Sequence, residues 1–170
     1  MALAHKNTTT QTNTSASTTI TINVPTNSDG DLLVLFLCHA ESEDGDWTDV
    51  VSQGWTSRVA EHQVGQTPPS IPGVSIFTRT ASSEPANYTF TNDFSSGLLA
   101  IMSSYEDADT TTPMDNTPTT AQSTSTGDPD PPSITTQTDG AIVIAVGIAD
   151  STGTLNSAPT NYTSRAHLNN

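Results

Sequence analysis

Carboxylates are the residues whose type and spacing could do chemistry in this chain. Five of them fall within nine residues around a glycine: Glu41, Glu43, Asp44, Asp46 and Asp49. Calcium binds six to eight oxygen ligands, which a flexible loop with a glycine turn can supply. The order of the five acids does not match the EF-hand pattern, whose ligands stand at fixed positions. Two interpretations remain, a cation-binding loop and a solvated acidic loop, and we expect the solvated loop.

Trp47 lies inside this acidic segment and is the candidate binding residue. A tryptophan on a loop can stack on a sugar ring or anchor a protein contact. The alternative, which we expect, is that its ring folds back and covers the end of the apolar core.

Motifs for catalysis and for cofactors are missing from the sequence. It has no Gly-x-Ser-x-Gly elbow, no Ser-x-x-Lys and no glycine-rich loop that leads into a helix. The four histidines show no paired metal spacing. The single cysteine, Cys38, ends an apolar run and is expected to be a small buried hydrophobe. We therefore predict that the protein is not an enzyme and has no cofactor.

The charge balance excludes several classes of partner. Eighteen acidic residues face four basic ones, which gives a formal net charge of −14. A field of this sign repels phosphate backbones and anionic membranes, so neither nucleic acid nor membrane is an expected partner. It is compatible with docking on a basic protein surface. Arg58, Arg79 and Arg165 are expected to neutralise nearby carboxylates.

Thr and Ser make up about 30% of the chain, and no segment has a helical period. Because Thr is β-branched, this composition favours sheet with wet outer faces. Residues 1–19 are predicted to form a flexible polar arm or a loosely held edge, and residues 20–170 an antiparallel β-sandwich, jelly-roll-like in its arrangement. The stretch Glu106–Pro132 is predicted to be irregular. The predicted strands are Ile20–Val24, Asp31–Cys38 (buried on both sides), Gly54–Ala60, Val74–Thr80, Asn87–Thr91, Leu98–Met102, Pro132–Thr136, Ala141–Ile148 and Asn161–Arg165.

The two halves of the chain share an internal echo. In the first half Asp29–Val34 leads to Gly54–Arg58, and in the second half Asp139–Ile144 leads to Asn161–Arg165. In each, a turn glycine opens an apolar strand, and an aromatic-Thr-Ser-Arg strand follows. The echo indicates either equivalent hairpins in the two halves or a chance recurrence of short motifs that are common in strands and turns.

The second half shows no partner for its last predicted strand before Asn170, whereas Val74–Thr80 serves that purpose in the first half. We therefore expect either a domain that is incomplete at its C-terminal side or a strand completed by a neighbouring subunit.

Several short sequence motifs, taken in the order in which they occur, resemble those of a β-sandwich domain found in tailed-bacteriophage virion proteins. They are Gly30–Val34 with Gly54–Thr56, Arg79–Pro85 with Tyr88–Phe90, and Pro132–Thr136 with Asp139–Ala141. The resemblance implies a non-enzymatic, homo-oligomeric structural protein that decorates or projects from the capsid through contacts with other virion proteins. It would be made in the host cytoplasm and displayed on the virion surface. The alternative is a receptor- or glycan-binding module of a tail fibre or spike.

Overall fold

The structure, a computed structural model, describes residues 3–40, 46–63, 72–120, 133–148, 161–166 and 168, with the side chains of 61–63 left aside. Five strands in these ranges form one antiparallel sheet, in the spatial order β1-β5-β2-β4-β3. This confirms the all-β class. None of the described helical segments is long and apolar enough to cross a membrane. The strands are β1 (Ala4–Asn23), β2 (Leu32–His39), β3 (Thr56–Gln63), β4 (Gly73–Thr80) and β5 (Asn87–Glu106), and a short 3₁₀ turn, Val51–Gln53, precedes β3.

Strand β2 lies at the centre of the sheet, antiparallel to both β4 and β5. Leu35 stands opposite Phe77 on one side and Met102 on the other. All eight residues of β2 are buried. Because side chains alternate along a strand, β2 supplies apolar side chains to both faces of the sheet. The prediction of a strand buried on both sides is confirmed.

Strands β1 and β5, each 20 residues long, fold back on themselves. A straight strand would separate Thr9 from Asn23 by about 46 Å, at roughly 3.3 Å per residue. Instead, the hydroxyl of Thr9 donates a hydrogen bond to the carbonyl of Asn23 at 2.6 Å. The register of β1 against β5 shifts between Asn13 and Thr19, which places the reversal there. The single sheet therefore covers itself.

The main apolar core joins the folded-back part of the sheet to its centre. Ile20, Ile22, Tyr88 and Phe90 come from the folded-back parts of β1 and β5, and they share a cluster with side chains of β2, β4 and the second half of β5. Trp55 packs edge-on against Tyr88, at a centroid distance of 5.5 Å, and against Phe90, at 6.1 Å. This core holds the two parts of the sheet together.

A smaller cluster covers the opposite face of the sheet. Leu32, Val34 and Phe36 of β2 and Tyr105 of β5 are its buried members. The partly buried side chains packed against them include Val146, from the second half of the chain. Val146 therefore brings its part of the segment 141–148 against this face.

The predicted N-terminal arm is a strand instead. Residues 4–19 belong to β1 and pair with β5 along most of their length. Polar side chains make this possible, because they satisfy carbonyls that the reversal leaves without strand partners. The amide of Asn13 and the hydroxyl of Ser17 both donate to the carbonyl of Thr19, at 2.8 and 2.9 Å. The alternative of an edge describes the segment better than an arm does.

Strand predictions hold in the first half and fail in the second. Asn87–Thr91 and Leu98–Met102 were predicted as two strands and form one, β5. Residues 133–136, 141–148 and 161–165 are not in strands, and Pro132 lies outside the described residues. Ile142 and Ile144 are each 41% exposed. Within the described ranges this segment is not paired with any strand of the sheet. Residues 107–120 are irregular, as predicted.

Replacing Thr9 with Val should lower the free energy of unfolding by about 1 kcal/mol, because Val keeps the shape and loses the hydrogen bond that holds the reversal. Thr10→Val is the matched control, since the neighbouring Thr10 is exposed. Urea unfolding followed by tryptophan fluorescence measures both. Equal stabilities of the two variants would contradict the role given to Thr9.

Candidate functional site

The predicted acidic cation site is described only in part. Glu41, Glu43 and Asp44 lie outside the described residues. Asp46 is exposed, and its backbone N–H donates to the carboxylate of Asp93 at 2.8 Å. The carboxylate of Asp49 accepts a hydrogen bond from the backbone N–H of Thr91 at 3.0 Å. Among the residues that the structure describes, no group of three or more acids, histidines or cysteines could hold a metal. The solvated acidic loop stays the prediction, with calcium binding as its alternative.

Trp47 lies against β5 rather than out in solvent. It forms an isolated bridge with Asn92, and only 9% of the residue is exposed. Its ring belongs to the main core cluster. Among the described residues its buried indole N–H meets no hydrogen-bond acceptor, so the contacts shown for the ring are apolar. This placement matches the alternative in which Trp47 covers the end of the core, and it leaves little ring surface for a ligand.

Arg79, Glu84 and Tyr88 form a network that sequence reasoning did not identify as a unit. The Nε of Arg79 lies 3.0 Å from the carboxylate of Glu84, whose side chain is only 2% exposed. The hydroxyl of Tyr88 donates to the same carboxylate, and Arg79 also donates to the carbonyl of Gln53. The guanidinium lies 5.8 Å from the centre of the Tyr88 ring, within cation–π range. The expected neutralising role of Arg79 is confirmed.

Gly54 is fixed by the same network. Its φ is +87°, a conformation that L side chains rarely adopt. A Cβ at this position would lie 2.6 Å from Nη1 of Arg79, so any other residue would push the guanidinium away. Gly54, the first residue of the Gly-Trp-Thr motif, therefore makes room for Arg79, the first residue of the next motif.

A second ion pair fastens the start of β1 to the start of β2. Lys6 Nζ lies 2.8 Å from the carboxylate of Asp31, and Glu106 lies 3.9 Å from the same nitrogen. The carboxylate of Asp31 also accepts the backbone N–H of Ser28 at 2.7 Å, which closes the turn before β2. The hydrogen bond to Asp31 raises the pKa of Lys6. These charged groups link β1 to the turn before β2.

A small polar pocket opens beside β3. Its volume is about 210 Å³ and its described lining is Leu32, Thr56, Arg58, Thr78, Arg79, Thr80, Thr110, Thr111 and Pro113. The Nε of Arg58 donates to the hydroxyl of Thr78 at 2.8 Å. Hydroxyl and guanidinium groups can donate hydrogen bonds to a small anion or a hydroxyl-rich molecule. The described lining contains no carboxylate or imidazole, so it offers no acid–base pair.

Burial raises the pKa of the Cys38 thiol to about 12. The reactive thiolate is therefore scarce at neutral pH. We expect the native protein to resist a thiol-titrating reagent and to react with one equivalent once it is unfolded in denaturant. Rapid reaction of the native chain would contradict the buried position of Cys38.

Burial, followed by its hydrogen bond to Glu84, raises the pKa of Tyr88 to about 12, above the ordinary value of 10.0. A folded state that holds this proton more tightly gains stability below pH 10 and loses it as the pH rises through about 12. Tyr88→Phe should lower the amplitude of the late step in the tyrosinate absorbance titration, to which Tyr105 also contributes because burial raises its pKa, and should flatten the loss of stability in this window. Tyr162→Phe, at a residue 43% exposed, should leave the late step in place. An unchanged late step in Tyr88→Phe would contradict the assignment.

Comparisons of the chain with models of protein families, with curated proteins and with solved structures found no match. The inference of function therefore rests on the residues, their order and their geometry.

Proposed function

We propose that the chain is a non-enzymatic structural protein of a tailed-bacteriophage particle, which decorates or projects from the capsid surface through contacts with other virion proteins. The folded sheet would form the two layers of a β-sandwich, with the main core between them. Its function would be to bind a protein shell, and it would do so through its surface charge and the edges of its strands.

The order of the motifs supports this proposal, since two of the three motif pairs lie in the strands and turns of the described sheet. Gly30 turns the chain into β2, with a φ of +94°. Gly54 makes room for Arg79, and Arg79 binds Glu84 beside Tyr88. The motifs that carry the resemblance to a structural family thus form turns and internal ion pairs in this chain.

The distribution of charge carries the proposal. Lys6 and Arg79, two of the four basic residues, are engaged with Asp31 and Glu84 of the same chain. With a formal net charge of −14, the protein presents an acidic field to its surroundings. Such a field favours association with a basic protein surface and disfavours nucleic acid.

The polar pocket beside β3 favours a second candidate, a receptor- or glycan-binding module of a tail fibre or spike. The pocket is rich in threonine hydroxyls and contains Arg58. Such groups suit hydroxylated or anionic sugars.

The test is to add the recombinant chain to phage particles from which its gene has been deleted and to measure binding. We expect saturable binding at regular shell positions, weakened as salt rises from 0.1 to 1 M because the screening length falls from about 10 Å to about 3 Å. Arg58→Ala should leave this binding unchanged. Failure to bind such particles, together with glycan binding that Arg58→Ala removes, would replace the first function with the second.

A further inference from the structure

The polar pocket beside β3 is built from both the sheet and the loop that follows β5. In the strand registers Thr56 stands opposite Thr78, and Leu32 stands opposite Thr80, so three neighbouring strands contribute to its lining. The loop after β5 completes the described lining with Thr110, Thr111 and Pro113. A molecule bound in the pocket would therefore contact the sheet and the loop together.

A β-bulge sets the position of Arg58 in this pocket. The register of β3 against β4 shifts between Ser57 and Val59, which leaves Arg58 outside the pairing. Its Nε donates to the hydroxyl of Thr78 at 2.8 Å, and among the described residues no acceptor is bound to its two terminal nitrogens. Bulges are common next to active sites, where they redirect a side chain. Here the bulge is followed by a guanidinium that still has donors to offer.

The pocket holds one positive charge that the described residues do not neutralise. Two of the four basic residues of the chain, Arg58 and Arg79, contribute to its lining. Arg79 is paired with Glu84 at 3.0 Å. No ion pair joins Arg58 to a carboxylate in the part of the chain that the structure describes. In a protein with a formal net charge of −14, this is an unusual place for an unpaired cation.

The acidic residue next to the pocket in the loop is engaged elsewhere. Asp109 precedes Thr110, but its carboxylate accepts the backbone N–H of Thr111 at 2.8 Å and the hydroxyl of Thr112 at 2.6 Å. Asp109 does not belong to the described lining. The loop thus ties its carboxylate into its own turn and contributes hydroxyl groups to the pocket.

We infer that the pocket binds a single sugar ring that carries one carboxylate, as a uronic acid does. The terminal nitrogens of an arginine match the two oxygens of a carboxylate, and such charge-assisted bonds are the strong ones. Threonine hydroxyls both donate and accept hydrogen bonds, which suits the hydroxyls of the ring. This inference deepens the second candidate function by naming its ligand class, and it does not depend on the first.

The size and charge of the pocket favour this ligand over others. Its volume of about 210 Å³ is below the roughly 300 Å³ at which pockets for drug-sized ligands begin, so one ring fits and a longer glycan would extend outside. Leu32 and Pro113 supply apolar contacts for the C–H groups of a ring. A monoanion balances the one charge of Arg58, whereas a dianion such as phosphate would add negative charge to an acidic chain.

Isothermal titration calorimetry of the full chain at low salt tests the inference with three probes, which are glucuronate, glucose and inorganic phosphate. Glucuronate and glucose share a ring and differ in the carboxylate, and phosphate is an anion without a ring. We expect saturable binding of glucuronate. Glucose and phosphate should each bind at least about tenfold more weakly, because each lacks one of the two kinds of contact.

Variants separate the contacts of the pocket from the charge of the whole chain. Arg58→Gln should weaken glucuronate binding at least about tenfold, because it removes the charge-assisted hydrogen bonds. Arg165→Gln is the matched control, since it makes the same change of net charge at an exposed residue outside the described lining. It should leave binding unchanged. Thr110→Val should weaken binding severalfold, and it alters only an exposed position of the loop.

The outcomes also distinguish this inference from the proposed functions. Absence of saturable glucuronate binding overturns the inference, and so does an equal loss in Arg58→Gln and Arg165→Gln. Glucose that binds as tightly as glucuronate overturns carboxylate recognition but keeps the second candidate function. Phosphate that binds as tightly as glucuronate overturns recognition of the ring. None of these results bears on binding to phage particles, which tests the first function.

Discussion

The fold depends on one constraint, which is that β2 is apolar on both sides. A strand of this kind must be covered above and below as well as paired on both edges. Strands β4 and β5 occupy the edges. The reversal of β1 and β5 covers one face, and side chains that include Leu3, Ala108 and Val146 contribute cover to the other. The long bent strands and the packing of Val146 on the sheet are consequences of covering these eight residues.

Polar side chains add to the apolar core in joining the strands of this protein. Only 32% of the residues are hydrophobic, and hydroxyl contacts help to join β1 to β5. Thr8 meets Ser103, and Thr21 meets Thr89, each at 2.8 Å. Such cross-strand pairs each contribute a fraction of a kcal/mol to about 1 kcal/mol. Many small terms of this kind allow a chain that is poor in apolar residues to keep an ordered sheet.

The sequence was sufficient for elements that carry a strong local signal. The apolar run of β2, the alternation of Ile20 and Ile22 and the turn at Gly30 predict their structures correctly, because apolar periodicity and turn residues are local signals. It failed for residues 4–19, whose polar tract resembles a free arm. Their order depends on a reversal that brings Thr9 to Asn23, and no local pattern encodes that contact. The Arg79–Glu84–Tyr88 network was missed as a unit for the same reason, although Glu84 and Tyr88 stand close to Arg79 in sequence.

The pairing of Ala4 with Glu106 joins the two ends of the folded sheet across most of its sequence. During synthesis, β1 leaves the ribosome before the other four strands and has no partner until β5 begins to emerge, when residues 87–91 can pair with residues 19–23. Until then β2 displays apolar side chains on both faces, and β1 stays an open ribbon of polar residues. Contacts between distant parts of a chain slow folding, since the loop between them must close first. The hydrophilic residues of β1 therefore protect the chain while the strand is unpaired. A tract of threonine and asparagine remains in solution during this delay, whereas an apolar strand would aggregate.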